Sequence, residues 1–239
     1  MTDEAPIPWT AVPLFQSLSQ SERAHLLPLI RISSAEPGQV IFREGDPALM
    51  FHFITEGQVK IVKSAANGKD VLLEIFGPGD PVGAVAAYEE RDFPASAVAL
   101  ETTRLVSVPR GELFMLLAAN PLLSRGLLLG LTRRMLDLTR KLSERSSRAE
   151  YRVARLFLAL SDRFGTTDGT GISLPMALTR QEIADMVGMT QETVIRIMSR
   201  WGKSGILETV GNGFILRDRA ALERIPPGDS QDRSRTGGG

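Results

Sequence analysis

After a short helix predicted by the capping box of Ser19 and Glu22, apolar and polar positions divide the chain into a β-rich part followed by a helical part. From Glu36 to Val108, apolar runs of three to six residues alternate with turn signals that contain glycine, proline or asparagine. Short strands at this regular spacing are typical of a small antiparallel barrel or roll. The predicted strands are Val40–Phe42, Phe51–Ile54, Val59–Val62, Val71–Phe76, Ala95–Leu100 and Leu105–Val108.

The period of the apolar residues becomes helical from about Gly111, and no proline interrupts the chain between Pro121 and Arg148, which predicts one long helix. Its apolar residues recur at alternating steps of three and four, as in the seam of a coiled coil. A second copy of this helix is the favoured partner, although packing against the chain's own β-rich part is an alternative. A further amphipathic helix is predicted at residues 149–164. The seam consists of Leu128, Leu131, Met135, Leu138 and Leu142.

Two short helices joined by a tight turn are predicted nearer the C-terminus. Residues 179–182 form a capping box that starts the first helix, Gly188 can adopt the positive φ that ends it, and Thr190 can cap the second. A β-hairpin centred on Asn212-Gly213 is predicted over Ile206–Leu216. Together these elements predict a winged helix-turn-helix.

The outer face of the second short helix carries side chains that suit base edges in the major groove. Glu192 can accept a hydrogen bond from the cytosine amino group, Arg196 can pair bidentately with guanine, and Gln191 can read adenine or bind a phosphate. An ordinary helical hairpin with a solvated charged face is the alternative, but the predicted wing favours DNA binding. The predicted DNA-binding residues are Arg180, Gln181, Thr190, Gln191, Glu192, Thr193, Ile195, Arg196 and Arg200, with Arg180, Thr190 and Thr193 on phosphates.

Lys and Arg number 28, as do Asp and Glu, but the two halves of the chain differ in sign. Residues 1–109 contain 8 basic and 14 acidic residues, whereas residues 110–239 contain 20 basic and 14 acidic residues. A basic C-terminal half agrees with binding to a polyanion. The chain contains no cysteine, which excludes disulfides and any iron–sulfur cluster held by its own thiolates.

The chain lacks the signals of an exported protein and of an enzyme. The N-terminus has no cationic segment followed by an apolar stretch, and Leu127–Leu131 is too short to span a bilayer. A cytoplasmic protein without a membrane partner is therefore expected. No nucleophile–base motif, metal-ligand spacing or phosphate-binding loop occurs, so the chain is predicted not to be an enzyme.

Residues 178–198 (LTRQEIADMVGMTQETVIRIM) closely resemble the helix-turn-helix of the Crp/Fnr regulators, and residues 38–61 (GQVIFREGDPALMFHFITEGQVKI) resemble the start of that family's cyclic-nucleotide-binding-type β-roll. The resemblance implies an α+β fold with an N-terminal β-roll, a long dimerisation helix and a C-terminal winged helix-turn-helix. It also implies a homodimeric transcriptional regulator on a near-palindromic operator in double-stranded DNA, in contact with RNA polymerase. The implied parts are an N-terminal arm at 1–18, a β-roll sensor domain at 19–110, a dimerisation helix region at 111–148, a winged helix-turn-helix DNA-binding domain at 149–226 and a disordered tail at 227–239.

The same resemblance assigns base-reading positions to Gln191, Glu192, Ile195 and Arg196. Glu192 and Arg196 match the family pattern. Members of the family usually carry a small residue where Ile195 stands, so the half-site is expected to differ at the base pair that this residue faces. A thymine methyl group suits isoleucine best.

The resemblance weakens at the effector pocket. Members that bind cyclic AMP have a glutamate for the ribose directly after a glycine and an arginine for the phosphate ten residues later; here these positions are Ala84 and Pro94. Because an unpaired buried phosphate is unfavourable, the substitutions argue against cyclic AMP unless Arg91 replaces the missing cation. Positions that would contact the base are Leu138 and Thr139. The candidate pocket comprises Gly83, Ala84, Arg91, Pro94, Ala95, Leu138 and Thr139.

A haem-based gas sensor, a sensor of another small ligand and a regulator without a ligand all stay open. Haem needs an axial donor, and the chain's two histidines are His25 and His52. A lone histidine is more often a surface or core residue than a ligand. The alternative function is a ligand-sensing dimeric module that does not bind DNA. The sequence does not identify the effector, the operator sequence or the target genes. It also does not show whether DNA binding activates or represses transcription.

Overall fold

The computed structural model describes residues 9–65, 70–143, 147–167 and 169–228, and the chain divides into two compact units, residues 1–134 and 135–239. Residues 1–8 of the predicted arm and residues 229–239 of the predicted tail lie outside the described part, as does the side chain of Leu142. Within the described residues, no single helix is long and apolar enough to cross a bilayer; one bent pair, Arg110–Ala119 with Pro121–Thr139, passes that test by length and composition.

The first unit is a roll of two four-stranded antiparallel sheets, as the apolar pattern predicts. One sheet has the order β1-β8-β3-β6 and the other the order β2-β7-β4-β5. Every predicted strand coincides with an observed one. The strands are β1 (Arg31–Ala35), β2 (Val40–Phe42), β3 (Met50–Glu56), β4 (Val59–Ser64), β5 (Asp70–Phe76), β6 (Pro81–Val82), β7 (Ser96–Ala99) and β8 (Thr103–Pro109).

The apolar pattern does not predict β1 and β6, the edge strands of the first sheet. Four of the five residues of β1 are exposed and only Ala35 is buried, so this strand carries no apolar alternation. It is held by its backbone, in register with β8 from Arg31 opposite Ser107 to Ala35 opposite Thr103. A pattern of apolar residues does not predict a strand that buries so few of its side chains.

Two short helices and one helical turn close the roll. Helix α1 (Gln20–Leu26) starts at the capping box predicted from Ser19 and Glu22, in which each residue's backbone N–H donates to the other's side chain. Before it, a 3₁₀ turn at Pro13–Ser17 buries Phe15 against Phe53, with ring centroids 4.9 Å apart. Residues 9–18 therefore contribute side chains to the core of the roll. Helix α2 (Ala84–Tyr88) begins after Gly83.

The helical region after the roll contains α3 (Arg110–Ala119) and α4 (Pro121–Ser143), and α4 lies within the stretch from Pro121 to Arg148 for which one long helix is predicted. The break is at Asn120, which is extended because the following proline disfavours helical backbone in the residue before it. The Asn120 side chain then accepts a hydrogen bond from the backbone N–H of Leu123, which caps α4.

The second unit contains α5 (Ala149–Phe164), which coincides with the predicted amphipathic helix, followed by β9 (Thr166–Thr167) and β10 (Ile172–Leu174). Phe157 joins this helix to the rest of the unit, because its ring packs edge-on against Trp201 and Phe214 at centroid distances of 6.4 and 5.2 Å. The remaining elements are α6 (Arg180–Val187), α7 (Gln191–Lys203), β11 (Leu207–Val210), β12 (Gly213–Leu216) and α8 (Arg219–Glu223).

The predicted hairpin is present, but its turn is centred on Gly211-Asn212, one residue earlier than expected, because Val210 pairs with Gly213. Gly211 supplies the positive φ of the turn, at 54°. Gly213 serves a different purpose, since a Cβ there would lie 2.5 Å from the carbonyl oxygen of Leu174 in the neighbouring strand. The wing therefore belongs to a four-stranded sheet of order β11-β12-β10-β9.

Candidate nucleic-acid interface

Helices α6 and α7 form the predicted helix-turn-helix. Thr179 and Glu182 make a reciprocal capping box, with backbone-to-side-chain distances of 2.8 and 3.1 Å. Gly188 ends α6 in the left-handed region, at φ 63°, and Thr190 caps α7 by accepting from the backbone N–H of Thr193. The local signals in the sequence thus set both ends of the turn.

One face of α7 is buried and the opposite face is exposed. Val194, Ile197, Met198 and Trp201 pack inward. Gln191, Glu192, Ile195 and Arg196 are exposed, and within the described part of the chain no hydrogen bond or ion pair engages the side chain of Gln191, Glu192 or Arg196. We call these four exposed residues the reading face. Their side chains are available to a ligand without breaking any contact that holds the unit together.

The polar residues around the reading face already have protein partners. Arg180 donates to Thr209 Oγ1 at 2.7 Å, and its guanidinium lies over the Phe214 ring, 5.4 Å from the centroid. Burial lowers the pKa of Arg180, because desolvation disfavours its charged form. Gln181 donates to Asp185 at 2.7 Å. Arg180 therefore joins the start of α6 to the wing, and its predicted phosphate contact stays a prediction.

The first turn of α5 supports both ends of α7. Arg152 donates to the carbonyl oxygen of Gly188, at 3.3 Å, in the turn before α7. Glu150 accepts from Trp201 Nε1 at 2.9 Å and pairs with Arg200 at 2.7 Å, near the end of α7. The sequence assigned no role to Glu150, since its partners lie about fifty residues away and leave no local signal.

In the candidate effector region, aromatic rings lie against the glycine that precedes α2. Gly83 has φ 68°, and a Cβ there would lie 2.4 Å from Phe93 Cε1. Phe93 stacks on Phe42 with centroids 3.7 Å apart, and the Phe42 ring is also 5.6 Å from that of His52. We call Phe42, His52 and Phe93 the aromatic cluster.

The charged side chains of this region contact other groups of the protein. The Arg91 side chain is 77% exposed and pairs with Glu89 at 3.5 Å. Pro94 is exposed, and its carbonyl oxygen accepts from Lys63 Nζ at 2.9 Å. Ala84 is half-buried and Ala95 is buried, and both are apolar. The residues of the predicted pocket that belong to the first unit thus present apolar groups and a backbone carbonyl. The other two residues of the predicted pocket, Leu138 and Thr139, belong to the second unit, where both are exposed.

Both histidines have structural partners. His25 is exposed, and its Nε2 lies 3.2 Å from Glu112 Oε2. His52 Nδ1 lies 2.8 Å from Ser107 Oγ, and burial lowers the pKa of His52 to about 4. The described residues contain no cluster of three or more His, Cys, Asp or Glu that could hold a metal ion. These environments supply no argument for haem at either histidine.

The predicted seam on α4 leaves large apolar side chains exposed in the single chain. The exposed fractions are 64% for Leu128, 38% for Leu131, 63% for Met135 and 46% for Leu138. Leu129 and Leu136, which the heptad pattern omits, are also exposed, at 50% and 62%. Contiguous exposed apolar side chains are typical of protein–protein interaction surfaces.

Comparisons with known proteins match both units. Residues 32–120 match the cyclic nucleotide-binding domain family and residues 151–225 the Crp-like helix-turn-helix domain family. A CRP-like cAMP-activated global transcriptional regulator of Mycobacterium tuberculosis is 31% identical over 212 residues, which cover 88% of this chain and 95% of that protein. The transcriptional activator protein anr of Pseudomonas aeruginosa is 27% identical and covers 77% of this chain and 76% of its own length.

Solved structures confirm the predicted α+β fold. The structure of FixK2 from Bradyrhizobium japonicum superimposes with a TM-score of 0.70 at 22% identity, over 81% of this chain and 96% of that chain. The β-roll and the C-terminal winged helix-turn-helix that the sequence predicts are therefore both confirmed.

Proposed function

Because the chain belongs to the Crp/Fnr family of DNA-binding transcriptional regulators, which are not enzymes, we propose that it acts as a homodimer on a near-palindromic DNA operator. The reading face on α7 carries this proposal, since its polar side chains are exposed and unengaged while the opposite face is buried. Glu192 would accept from a cytosine amino group and Arg196 would pair with guanine. Ile195 favours a thymine methyl at the base pair that it faces.

The exposed stripe on α4 supports the homodimer. A copy of the same helix offers a matching stripe, and burying large apolar side chains contributes about 1.5 to 3 kcal/mol each when burial is complete. Two recognition helices must then enter the major groove about one DNA turn apart, roughly 34 Å, which gives the operator its near-twofold symmetry. By the family resemblance we also expect contact with RNA polymerase, and we expect a DNA-binding regulator of this family to act in the cytoplasm.

Arg196→Ala tests base reading. We expect it to lower affinity by about 1 to 3 kcal/mol for a duplex that the protein has selected from a randomised library, with little change on a scrambled duplex of the same length. The reason is that it removes a base contact and leaves the phosphate contacts in place. Titration of both labelled duplexes measures the difference, with Arg224→Ala as a control that removes an exposed arginine outside α7. Equal loss on both duplexes would contradict base reading.

We propose that cyclic AMP is not the effector, although the Mycobacterium tuberculosis relative is named for activation by it. Ala84 and Pro94 supply no partner for ribose or phosphate, and Phe93 lies against Gly83 in the same region. Arg91 is exposed and paired with Glu89. Lys63, whose Nζ reaches the carbonyl oxygen of Pro94, is likewise paired, with Glu44 at 3.3 Å, so an anionic ligand buried there would gain a compensating charge only by separating an existing ion pair, which is unfavourable. The effector is therefore another ligand, or the regulator acts without one.

Titration calorimetry with cyclic AMP checks this expectation, and we expect no measurable heat and no change in operator affinity. A ligand shifts a conformational equilibrium only through its different affinity for the two states, so one that does not bind has no effect. A dissociation constant at or below about 10 μM, corresponding to roughly 7 kcal/mol, would refute the proposal. Loss of such binding in Arg91→Ala would identify the cation responsible.

A further inference from the structure

Glu150 connects the first turn of α5 to the last part of α7. One carboxylate oxygen accepts from the indole N–H of Trp201 at 2.9 Å, and the other pairs with Arg200 at 2.7 Å. Trp201 is 1% exposed, whereas the Arg200 side chain is 57% exposed and that of Glu150 36%. The carboxylate thus has one oxygen anchored on a buried donor and the other on a cation at the surface.

Arg200 lies one helical turn beyond Arg196, and residues four apart share a face of a helix. The sequence predicts Arg200 as a DNA-binding residue, and an unpaired arginine at this place would be suited to a DNA phosphate. The pair with Glu150 changes this expectation in two ways. It offsets the charge of Arg200, and it holds the guanidinium on a carboxylate of the protein itself.

The carboxylate of Glu150 is well anchored for this purpose. Most exposed ion pairs are weak because two mobile side chains must be ordered to form them. Here the indole of Trp201 already holds Glu150, so only Arg200 has to be ordered. A negative charge in the first turn of α5 is also favoured by the partial positive charge of the helix N-terminus.

We propose that Glu150 is a positioning residue for DNA recognition, which holds Arg200 against Trp201 and withholds that cation from DNA phosphates. This inference rests on the proposed function. Non-specific affinity for DNA comes almost entirely from phosphate contacts, whereas base contacts distinguish one sequence from another. Withholding one cation per subunit therefore lowers affinity by about the same factor on every duplex, and the choice between sequences is left to base contacts such as that of Arg196.

The salt dependence of DNA binding tests the proposal, because each phosphate contact adds about 0.9 to the slope of log K against log salt concentration. Glu150→Gln keeps an oxygen that can accept from Trp201 and nearly the same volume, but it removes the charge that holds Arg200. We expect the slope of the dimer to become steeper by about two, one per subunit. Affinity for the selected and the scrambled duplex should rise by about the same factor, because the added contact is to phosphate. Arg200→Ala alone should leave the slope unchanged, and adding it to Glu150→Gln should restore the original slope.

These variants separate the proposal from a purely structural role, which would change the thermal midpoint without changing the slope. Arg200→Ala does not touch the contact with Trp201, so it tests the proposal even where Glu150→Gln is poorly folded. A slope that becomes shallower by about two in Arg200→Ala would show that Arg200 binds phosphates and would overturn the inference. If Glu150→Gln folds and its slope equals that of the parent protein, the inference is also wrong. The proposed function would still stand in that case, provided that Arg196→Ala loses sequence preference. If Arg196→Ala and the parent protein bind both duplexes equally, the proposed function fails and the inference fails with it.

Discussion

Leu131→Glu combined with Leu138→Glu is expected to yield monomers that bind DNA poorly. Both leucines lie on the exposed stripe of α4, with 38% and 46% of their surface accessible in the single chain. In a dimer each glutamate would be buried next to its own copy without a partner for its charge, which is strongly unfavourable. A monomer presents one recognition helix to one half-site, so it loses the contribution of the second subunit to affinity.

Sedimentation at micromolar concentration measures the oligomeric state, and circular dichroism shows whether the chains remain folded. Arg133→Glu is the matched control, because it places a glutamate on the same helix outside the seam, where it stays solvated. It should sediment as the parent protein does. A dimer that persists in the double variant would refute the seam and would direct attention to Leu129 and Leu136, which are exposed on the same helix.

Local chemistry explains which parts of the fold could be predicted from the sequence. The two capping boxes, at Ser19 and Thr179, depend on residues three apart, and both form as predicted. Gly188 ends α6 because glycine tolerates a positive φ. The helix break at Asn120 has an equally local signal in Pro121, from which the long helix is predicted to run.

The missed features depend on contacts between distant residues. Ala84 and Pro94 stand where members of the family that bind cyclic AMP carry a glutamate and an arginine, so the sequence already indicates that two polar partners are missing. Only the fold shows that Phe93 lies against Gly83 and stacks on Phe42. Glu150 is an ordinary charged residue in the first turn of a predicted helix, and its pairing with Arg200 depends on how α5 packs on α7. A sequence shows which residues are able to bind a ligand, whereas the fold shows which of them the protein itself already engages.

His52 is expected to make the first unit sensitive to acid. Its ring is half-buried beside the rings of Phe42 and Phe93, and burial lowers the pKa of His52 from 6.5 to about 4. The unfolded chain therefore takes up a proton as the pH falls below about 6.5, while the folded chain resists until about pH 4. The free energy of unfolding is unaffected by His52 above pH 6.5 and decreases as the pH falls through this window. The loss is about 2 kcal/mol at pH 5 and approaches about 3 kcal/mol below pH 4.

Urea unfolding at pH 7 and pH 5 measures this loss. The two tryptophans lie in different units, so Trp201→Phe leaves Trp9, which packs against Phe15, as a fluorescent reporter of the first unit alone. In that background, His52→Gln should reduce the difference between the two pH values by about 2 kcal/mol, because glutamine does not titrate. His25→Gln removes the other histidine, from an exposed position, and controls for the loss of an imidazole as such. If the parent chain and His52→Gln lose equal stability between pH 7 and pH 5, then the His52 ring takes up its proton in the folded protein without cost, and the aromatic cluster does not exclude solvent from it.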